Sequence, residues 1–425
     1  MRLRTFLPLA AATAALGLPA LAQEVNGHWR GELRAHLDPR SANERGLLAR
    51  ADALSPGLAP PARSGATIDL GLRGQARSLA VDVLLRHERR EGGDTDTTAR
   101  FNELYASGPV PGVGDAWQFS AGKKIVSWDV GYGWRPNDVV QQEERRQLLS
   151  ATAEGRPLLQ LEHFGAESAW ALVWVNPHHL HAPFSRTGGG EESALALRYY
   201  LRHGAADWHG FARWGEHTSG SVGAAFAWVA SESLELHASW RFTQRHDGWR
   251  YGGPPGAAPS AANPWALATQ GAATQWLLGF SWTNEQQLSL LGEAWHDGTA
   301  LSDDHWSHWL QRCQGLLAAG RLAPAPLRTL HAANAAWQAT PWRSPNLRRD
   351  NLFLRLAWQH EAWQPALDML FTPRDAGRTW TASLAWQGDR LKLEAGLRHH
   401  GGPATALLAQ LPLDRSGYLL ASLAF

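Results

Sequence analysis

The feature that most constrains this chain is a repeated alternation of apolar and polar side chains with a period of two residues. In residues 351–359, three leucines and Trp358 share one face, whereas Asn351 and Arg355 share the other. The same alternation recurs in residues 79–88, 234–242, 380–387 and 391–398. Alternation over about ten residues indicates a β-strand with one apolar face. The polar face carries full charges, which a dry core could not bury.

About 18 such segments follow one another along the chain, so we expect 16–18 strands. We predict that they start near residues 27, 65, 78, 99, 115, 157, 168, 193, 207, 221, 233, 274, 286, 350, 364, 377, 389 and 416. Connections after even-numbered segments are mostly short, and those after odd-numbered segments are mostly long. Short turns at one end and long loops at the other are typical of a transmembrane antiparallel β-barrel. A soluble sandwich or propeller is the alternative, but its strands are usually shorter.

The N-terminal residues predict export from the cytoplasm. Arg2 and Arg4 precede an apolar run over residues 6–21, and Ala20-Leu21-Ala22 fits a small-residue cleavage site. Residues 1–22 are therefore expected to be a signal peptide, and residues 23–425 a single barrel domain. No later run of about 18 apolar residues occurs, which excludes a helical membrane protein. A net charge of +1 disfavours a nucleic-acid partner.

The C-terminal segment adds a second indication of the outer membrane. Residues 416–425 alternate and end in Phe425, which shares the apolar face with Leu419 and Leu423. A final strand that ends in phenylalanine resembles the C-terminal recognition signal of bacterial outer-membrane proteins. This resemblance implies that Phe425 is the signal read by the barrel-assembly machinery during biogenesis.

Inward-facing charges and one long loop are the candidates for controlling passage. For the lumen, alternation places basic side chains on the polar face, namely Arg73, Arg86, Arg198, Arg202, Arg241, Arg355, Lys392 and Arg398. A cationic excess favours anionic solutes, whereas cross-strand ion pairs would make the same residues structural. The stretch at residues 121–140, AGKKIVSWDVGYGWRPNDVV, resembles a segment of large porin-like barrels, including alginate-export-type barrels. The resemblance implies a constriction loop over residues 124–156, with Lys123, Lys124, Trp128, Asp129, Arg135 and Asp138 in the narrow zone; an ordinary extracellular loop is the alternative.

A second long loop, residues 296–349, shows helical rather than β periodicity. Ser302 precedes two aspartates, as at a helix N-terminus, and apolar residues then keep helical spacing until Gly320. A second helix is expected from Pro326 to Trp337. Cys313, the single cysteine, lies on the apolar stripe and is expected to be a packing residue.

Chemical motifs are mostly absent from the sequence. The histidines at positions 178, 179, 181, 399 and 400 lack acidic or cysteine ligands at set spacing, so no metal and no cofactor is expected. The chain contains no G-x-S-x-G motif, so catalytic residues are not assigned and an enzyme is not expected.

The sequence therefore predicts a porin-like channel in the outer membrane of a Gram-negative bacterium, for diffusion or export of small solutes, anionic ones among them. A polysaccharide export channel and a non-conducting scaffold for assembly or adhesion are the alternatives. The expected partners are outer-membrane lipid and lipopolysaccharide, and homo-oligomerisation stays open.

Overall fold

The computed structural model describes residues 27–59, 62–141, 153–176 and 192–425. The predicted signal peptide and the histidines at positions 178, 179 and 181 lie outside these residues. The strands are β1 (Gly27–Asp38), β2 (Arg40–Ala42), β3 (Gly65–Ala76), β4 (Leu79–Arg90), β5 (Thr95–Pro109), β6 (Trp117–Lys124), β7 (Arg156–Phe164), β8 (Ser168–Val175), β9 (Ala194–His203), β10 (Ala206–Gly215), β11 (Ser219–Ser231), β12 (Leu234–Thr243), β13 (His246–Tyr251), β14 (Trp265–Gln270), β15 (Ala273–Thr283), β16 (Leu288–Asp297), β17 (Asp350–Trp358), β18 (Trp363–Thr372), β19 (Gly377–Gln387), β20 (Leu391–Gly401) and β21 (Leu413–Ala424).

Eighteen of these strands form one closed antiparallel barrel, which confirms the predicted fold class. The main sheet has 19 strands, and the short β2 continues β1 along β21, so the wall has eighteen positions. Each remaining strand pairs with its neighbours in chain order, and β1 pairs with β21 to close the ring. The predicted starts agree closely with the observed ones. The largest difference is at β5, which begins at Thr95 rather than near residue 99.

The alternation seen in the sequence separates the two faces of the wall. On β17 the outward Leu354 is 41% exposed, whereas the inward Asn351 is buried. Exposed leucines and tryptophans recur on the outer face of most strands, which makes a continuous apolar band. Such a band is stable only when lipid replaces water around it.

The terminal phenylalanine lies at the seam where the ring closes. Gly31 N donates to Phe425 O at 2.8 Å, and Phe425 N donates to Gly31 O at 3.0 Å. The ring of Phe425 covers Gly31, because a Cβ built on Gly31 would lie 2.1 Å from Phe425 Cε2. Phe425 therefore completes the β1–β21 pairing on the lipid-facing side.

Helices gather at the long-loop end of the barrel. They are α1 (Leu47–Leu54), α2 (Asp303–Leu322) and α3 (Ala325–Trp337), with short 3₁₀ turns at Thr340–Arg343 and Leu408–Gln410. Ser302 caps α2 by accepting a hydrogen bond from His305 N, as its position predicts. No helix among the described residues combines the length and apolar character needed to cross a membrane.

The helices share a hydrophobic core with the loops around them. Trp306, Trp309 and Leu316 of α2 pack against α1 and the 3₁₀ turns, together with Cys313. Burial raises the pKa of the Cys313 thiol, which keeps it protonated and unreactive. Helix α1 and the β13–β14 hairpin, both in this layer, are elements that the sequence did not predict.

Candidate functional site

Residues 125–141, here called the lumen segment, leave β6 and turn into the barrel. Four of their apolar side chains, Val126, Trp128, Val139 and Val140, are buried. They pack on inward apolar side chains of β7–β11, most of them alanine or valine, namely Leu158, Ala171, Val173, Val175, Ala194, Ala196, Phe211 and Ala225. These strands carry apolar residues on both faces, so their inner surface offers an apolar bed for the segment.

One set of polar contacts fixes the segment to β11 and β12. Asn137 Nδ2 donates to Ser239 Oγ at 2.7 Å and to Trp240 O at 3.1 Å. Ser239 Oγ donates in turn to Asp129 Oδ1 at 2.7 Å. The amide of Asn137 occupies space left by Gly223, since a Cβ there would lie 1.9 Å from Asn137 Oδ1. We call these contacts the Asn137 anchor.

A second set fixes the segment to β12 and β16. Glu293 accepts the backbone N–H of Tyr132 at 2.7 Å and that of Gly133 at 2.6 Å. His237 Nε2 lies 3.0 Å from Glu293 Oε1. Both of these wall side chains are fully buried. We call these contacts the Glu293 anchor, and Trp134 packs beside it on Leu277 and Trp295.

Asp138 stabilises the turn of the lumen segment from within. Its carboxylate accepts Trp128 N at 2.8 Å, Asp129 N at 3.1 Å and Ser127 Oγ at 2.9 Å. Burial raises the pKa of both Asp129 and Asp138 above the ordinary value, despite these hydrogen bonds. The segment is thus held by carboxylates whose ionised form is costly inside the barrel.

The residues predicted for the narrow zone fall into two groups. Trp128 and Asp129 are buried against the wall, whereas Asp138 is buried within the lumen segment, where it borders the cavity described below. Arg135 is partly exposed and donates to Gly131 O at 2.6 Å and to Ser127 Oγ at 2.5 Å.

The two lysines predicted for the narrow zone sit at the end of β6. Lys123 pairs with Glu154. Lys124 donates to Ser120 Oγ at 3.0 Å and to Gln160 Oε1 at 2.9 Å. Lys124 is therefore engaged with the wall, and Lys123 with the residue pair that precedes β7, next to the point where the lumen segment begins.

Four residues that make the anchoring contacts were not predicted for this site, namely Tyr132, His237, Ser239 and Glu293. Alternation does place the last three on the inner face. No local signal links them to the lumen segment, however, because Glu293 and Tyr132 are 161 positions apart in sequence.

Another part of the inner surface, here called the charged wall, is formed by β3, β4, β17, β18 and β20. Arg86 makes a bidentate pair with Asp69, with both contacts at 2.7 Å. Arg73 pairs with Asp82 at 2.6 Å, and Arg355 pairs with Asp368 at 3.1 Å. The side chains of Arg73, Arg355 and Lys392 are nevertheless 63%, 40% and 41% exposed. Inward charges with this exposure are in contact with water.

The other predicted lumen arginines also occupy inner-face positions. Arg198 lies 3.2 Å from His209 Nδ1, and Arg398 donates to Thr381 Oγ1 at 3.0 Å. Arg241 donates to Pro136 O at 3.1 Å, so it also touches the lumen segment. Arg202 is exposed at the short-turn end of β9.

A cavity of about 140 Å³ lies between the lumen segment and the loops at the long-loop end. Five arginines line it, namely Arg156, Arg213, Arg241, Arg245 and Arg343, against three aspartates, Asp138, Asp247 and Asp297. Arg213 pairs with Glu192 at 2.7 Å. Asp297 is satisfied by amide and hydroxyl donors, such as Gln275 Nε2 at 2.9 Å. The cavity therefore has an excess of positive charge.

Among the described residues, no group of three or more His, Cys, Asp or Glu side chains could hold a metal ion. His400 Nδ1 lies 2.9 Å from Thr379 Oγ1, and His399 Nδ1 lies 3.4 Å from Asp414 Oδ1. These two histidines thus have contacts within the wall.

A closed eighteen-strand barrel with an apolar outer band, charged inner face and in-folded segment is an outer-membrane β-barrel of the porin-like type. Its backbone resembles the outer membrane protein OprD from Pseudomonas aeruginosa, with a TM-score of 0.53 and 9% identity over 94% of each chain. Acinetobacter baumannii OccAB1 is similar at a TM-score of 0.53 and 9% identity, over 95% of this chain and 97% of the other. Pseudomonas aeruginosa OccK5 gives 0.51 and 8%, over 94% of this chain and 98% of the other. No protein-family model and no curated protein sequence matches the chain. At these identities the likeness shows the fold alone.

Proposed function

We propose that this barrel is an outer-membrane channel through which small solutes cross, with anionic solutes favoured. The observation that carries the proposal is the exposure of inward charges on the charged wall, of which Arg73 is the clearest case. Arg73 and Lys392 lie toward the short-turn end of their strands, so the lumen contacts water at that end, and burying paired charges there would cost free energy. An interior this wide also needs either water or an in-folded segment to fill it.

Charge distribution supports the preference for anions. The cavity at the long-loop end carries arginines beyond the number of its carboxylates. Among the described residues, Arg245 and Arg343 form no ion pair with a carboxylate. Unpaired cations at the mouth of a channel raise the local concentration of anions and their rate of entry.

We propose that the lumen segment determines the width of the pore. It covers the inner faces of β7–β12, so a solute would move along the charged wall instead. A barrel of this kind is typically not an enzyme, and we propose no catalytic role. We also propose that lipid and lipopolysaccharide contact the apolar band, and that the assembly machinery reads Phe425.

Single-channel recording in planar bilayers tests the proposal. The mature chain is compared with a variant in which residues 126–140 are replaced by a short glycine linker. We expect steady current with anion preference, and a larger conductance for the variant. A silent wild type that opens only on deletion would favour a gated exporter or a closed scaffold. Silence in both proteins would contradict the channel.

A further inference from the structure

We propose that His217 is a proton-dependent latch, which fastens the β13–β14 hairpin over the cavity at the long-loop end in acid and releases it as the pH rises. The latch stands on the geometry of His217 and two carboxylates from different loops. Its effect on current rests on the proposed channel function, whereas the latch itself does not.

The β13–β14 hairpin forms one side of the cavity, and the lumen segment forms another. At its far end, Tyr251 and Trp265 of the hairpin pack with the hydrophobic core of the helices. Its near end is polar and is held to the neighbouring loop by a contact between His217 and Asp247. The hairpin supplies four of the residues that line the cavity, namely Asp247, Gly248, Trp249 and Leu267.

His217 lies in the turn between β10 and β11 and has a carboxylate at each ring nitrogen. Its Nδ1 lies 2.9 Å from Glu192 Oε2, and its Nε2 lies 2.9 Å from Asp247 Oδ2. Glu192 comes from the connection that leads into β9, and Asp247 comes from the hairpin. The carboxylate side chains are 1% and 9% exposed, whereas the imidazole is 46% exposed. The histidine therefore joins three loops and can still exchange protons with water.

The two contacts require more protons than a neutral histidine has. A carboxylate only accepts hydrogen bonds, and a neutral imidazole carries one N–H. Glu192 keeps that N–H at Nδ1, because its own position is fixed by Arg213 Nη2 at 2.7 Å and by Thr218 N at 3.1 Å. Burial alone would raise the pKa of the Glu192 carboxyl, but Arg213 and Thr218 hold it below the ordinary value, so it is ionised. Contact between Nε2 and Asp247 therefore needs a second proton, whichever of the two groups carries it.

Loss of the second proton releases the hairpin. Histidines ordinarily change charge between about pH 5 and 8. Once the second proton is gone, the lone pair of Nε2 faces the lone pairs of Asp247 at 2.9 Å, and the two repel each other. Glu192 keeps the imidazole in its place, so the hairpin is the part that moves away.

Other charged groups near His217 do not take over this role. Arg213 is paired with a carboxylate, and Glu216 precedes the histidine in the chain and is exposed. His246 lies on the hairpin itself, but burial lowers its pKa below the ordinary value, and its Nδ1 donates to Gly271 O at 2.9 Å. His217 is therefore the group through which pH acts on this contact.

A spin label on the hairpin tests the latch without requiring conduction. Ala266 is exposed on β14, opposite Arg250, so Ala266→Cys places the label outside the helical core. The native Cys313 is buried and does not take the label. We expect the ratio of mobile to immobile label to rise about fivefold from about pH 5 to 8, the upper limit for a partly exposed ion pair. His217→Gln in the same labelled barrel should remove this dependence, because an amide does not titrate.

Asp247→Asn separates the latch from a general effect of histidine charge. The new amide can donate to the neutral imidazole and accept from the charged one, so the label should stay immobile at both pH values. His246→Gln is the matched control, because it removes the histidine next to Asp247 and leaves the contact with His217 intact. It should keep the wild-type response.

The outcomes separate the latch from channel function. A label mobility that is constant with pH in the wild type, or that still changes in His217→Gln, would overturn the latch. Loss of the response in His246→Gln would overturn it as well, because a different histidine would then be responsible. If His217→Gln fails to fold, Asp247→Asn decides, and a pH response there would also overturn the latch.

Conductance in planar bilayers is the second readout. It should rise with pH in the wild type and stay constant in Asp247→Asn, which keeps the hairpin fastened. A label response without any current would support the latch and contradict the channel. A wild-type current that does not change with pH would overturn the effect of the latch on conduction.

Discussion

The amide of Asn137 fills the space above Gly223, so the cost of enlarging Gly223 should depend on whether Asn137 is present. Adding one methyl group by Gly223→Ala would place a Cβ 1.9 Å from Asn137 Oδ1. Overpacking of this kind costs about 1–3 kcal/mol, which would raise the undocked population of the lumen segment by a factor of about 5 to 150. Asn137→Ala removes the hydrogen bonds to Ser239 and Trp240, at a similar cost of about 1–3 kcal/mol.

The two changes should not add. Once Asn137 is truncated, the 1.9 Å contact disappears, whereas the contact of the new methyl with the backbone carbonyl of Trp240 at 2.8 Å remains. We therefore expect a coupling free energy of about 1–2 kcal/mol, with the double variant less destabilised than the sum of the two single variants. Chymotrypsin cleavage rates of the folded wild type, the two single variants and the double variant complete this double-mutant cycle and give the coupling free energy. Additive effects would refute the reasoning, because they would mean that Gly223 and Asn137 act independently.

Three further results follow from the same geometry. Burial raises the pKa of Asp129 and Asp138, so their contribution to docking is complete below pH 3.8 and is lost as the pH rises through the raised values. Hydrogen-exchange protection of the Trp128 and Asp129 amides, corrected for the intrinsic pH dependence of exchange, should therefore weaken from acid to neutral pH, and the opposite trend would contradict it. Gly31→Leu should displace the ring of Phe425 and so destabilise the barrel. Samples of the variant should then unfold, and migrate more slowly in SDS gels, after heating to a lower temperature than wild type needs. An unchanged temperature would mean that the ring does not support closure. Lys392→Gln removes an exposed inward cation, so the reversal potential should move toward cations with a stability change below about 1 kcal/mol; a constant potential would place the ion path elsewhere.

The barrel could be predicted from sequence because each strand carries its own signal. In β17, the alternation of Leu352, Leu354 and Leu356 with polar residues is readable within nine residues. The same holds for α2, because its cap at Ser302 and its apolar stripe can both be recognised within the sequence of the helix itself. The β13–β14 hairpin was not predicted, since its six-residue strands are short and pack on helices rather than on lipid.

The candidate site could be predicted only in part. The density of Trp, Gly and charge in the lumen segment indicated a special loop, but not which side chains would point inward. The sequence makes Asp129 and Asp138 look like pore charges, whereas both are buried and hold the segment in place. That outcome depends on Ser239 and Glu293, which come from strands far along the chain. Local patterns cannot supply such pairings.

The two parts of the inner surface together explain where a path through this barrel can lie. The bed under the lumen segment is built from small apolar residues such as Ala171 and Ala196, which make room for Trp128 and exclude water. The charged wall could not accept an apolar segment, because covering Arg73 or Lys392 would desolvate charges that now contact water. The lumen segment therefore docks on the apolar inner face of β7–β11 and not on the charged wall. In the channel proposed above, a solute would therefore pass along the charged wall.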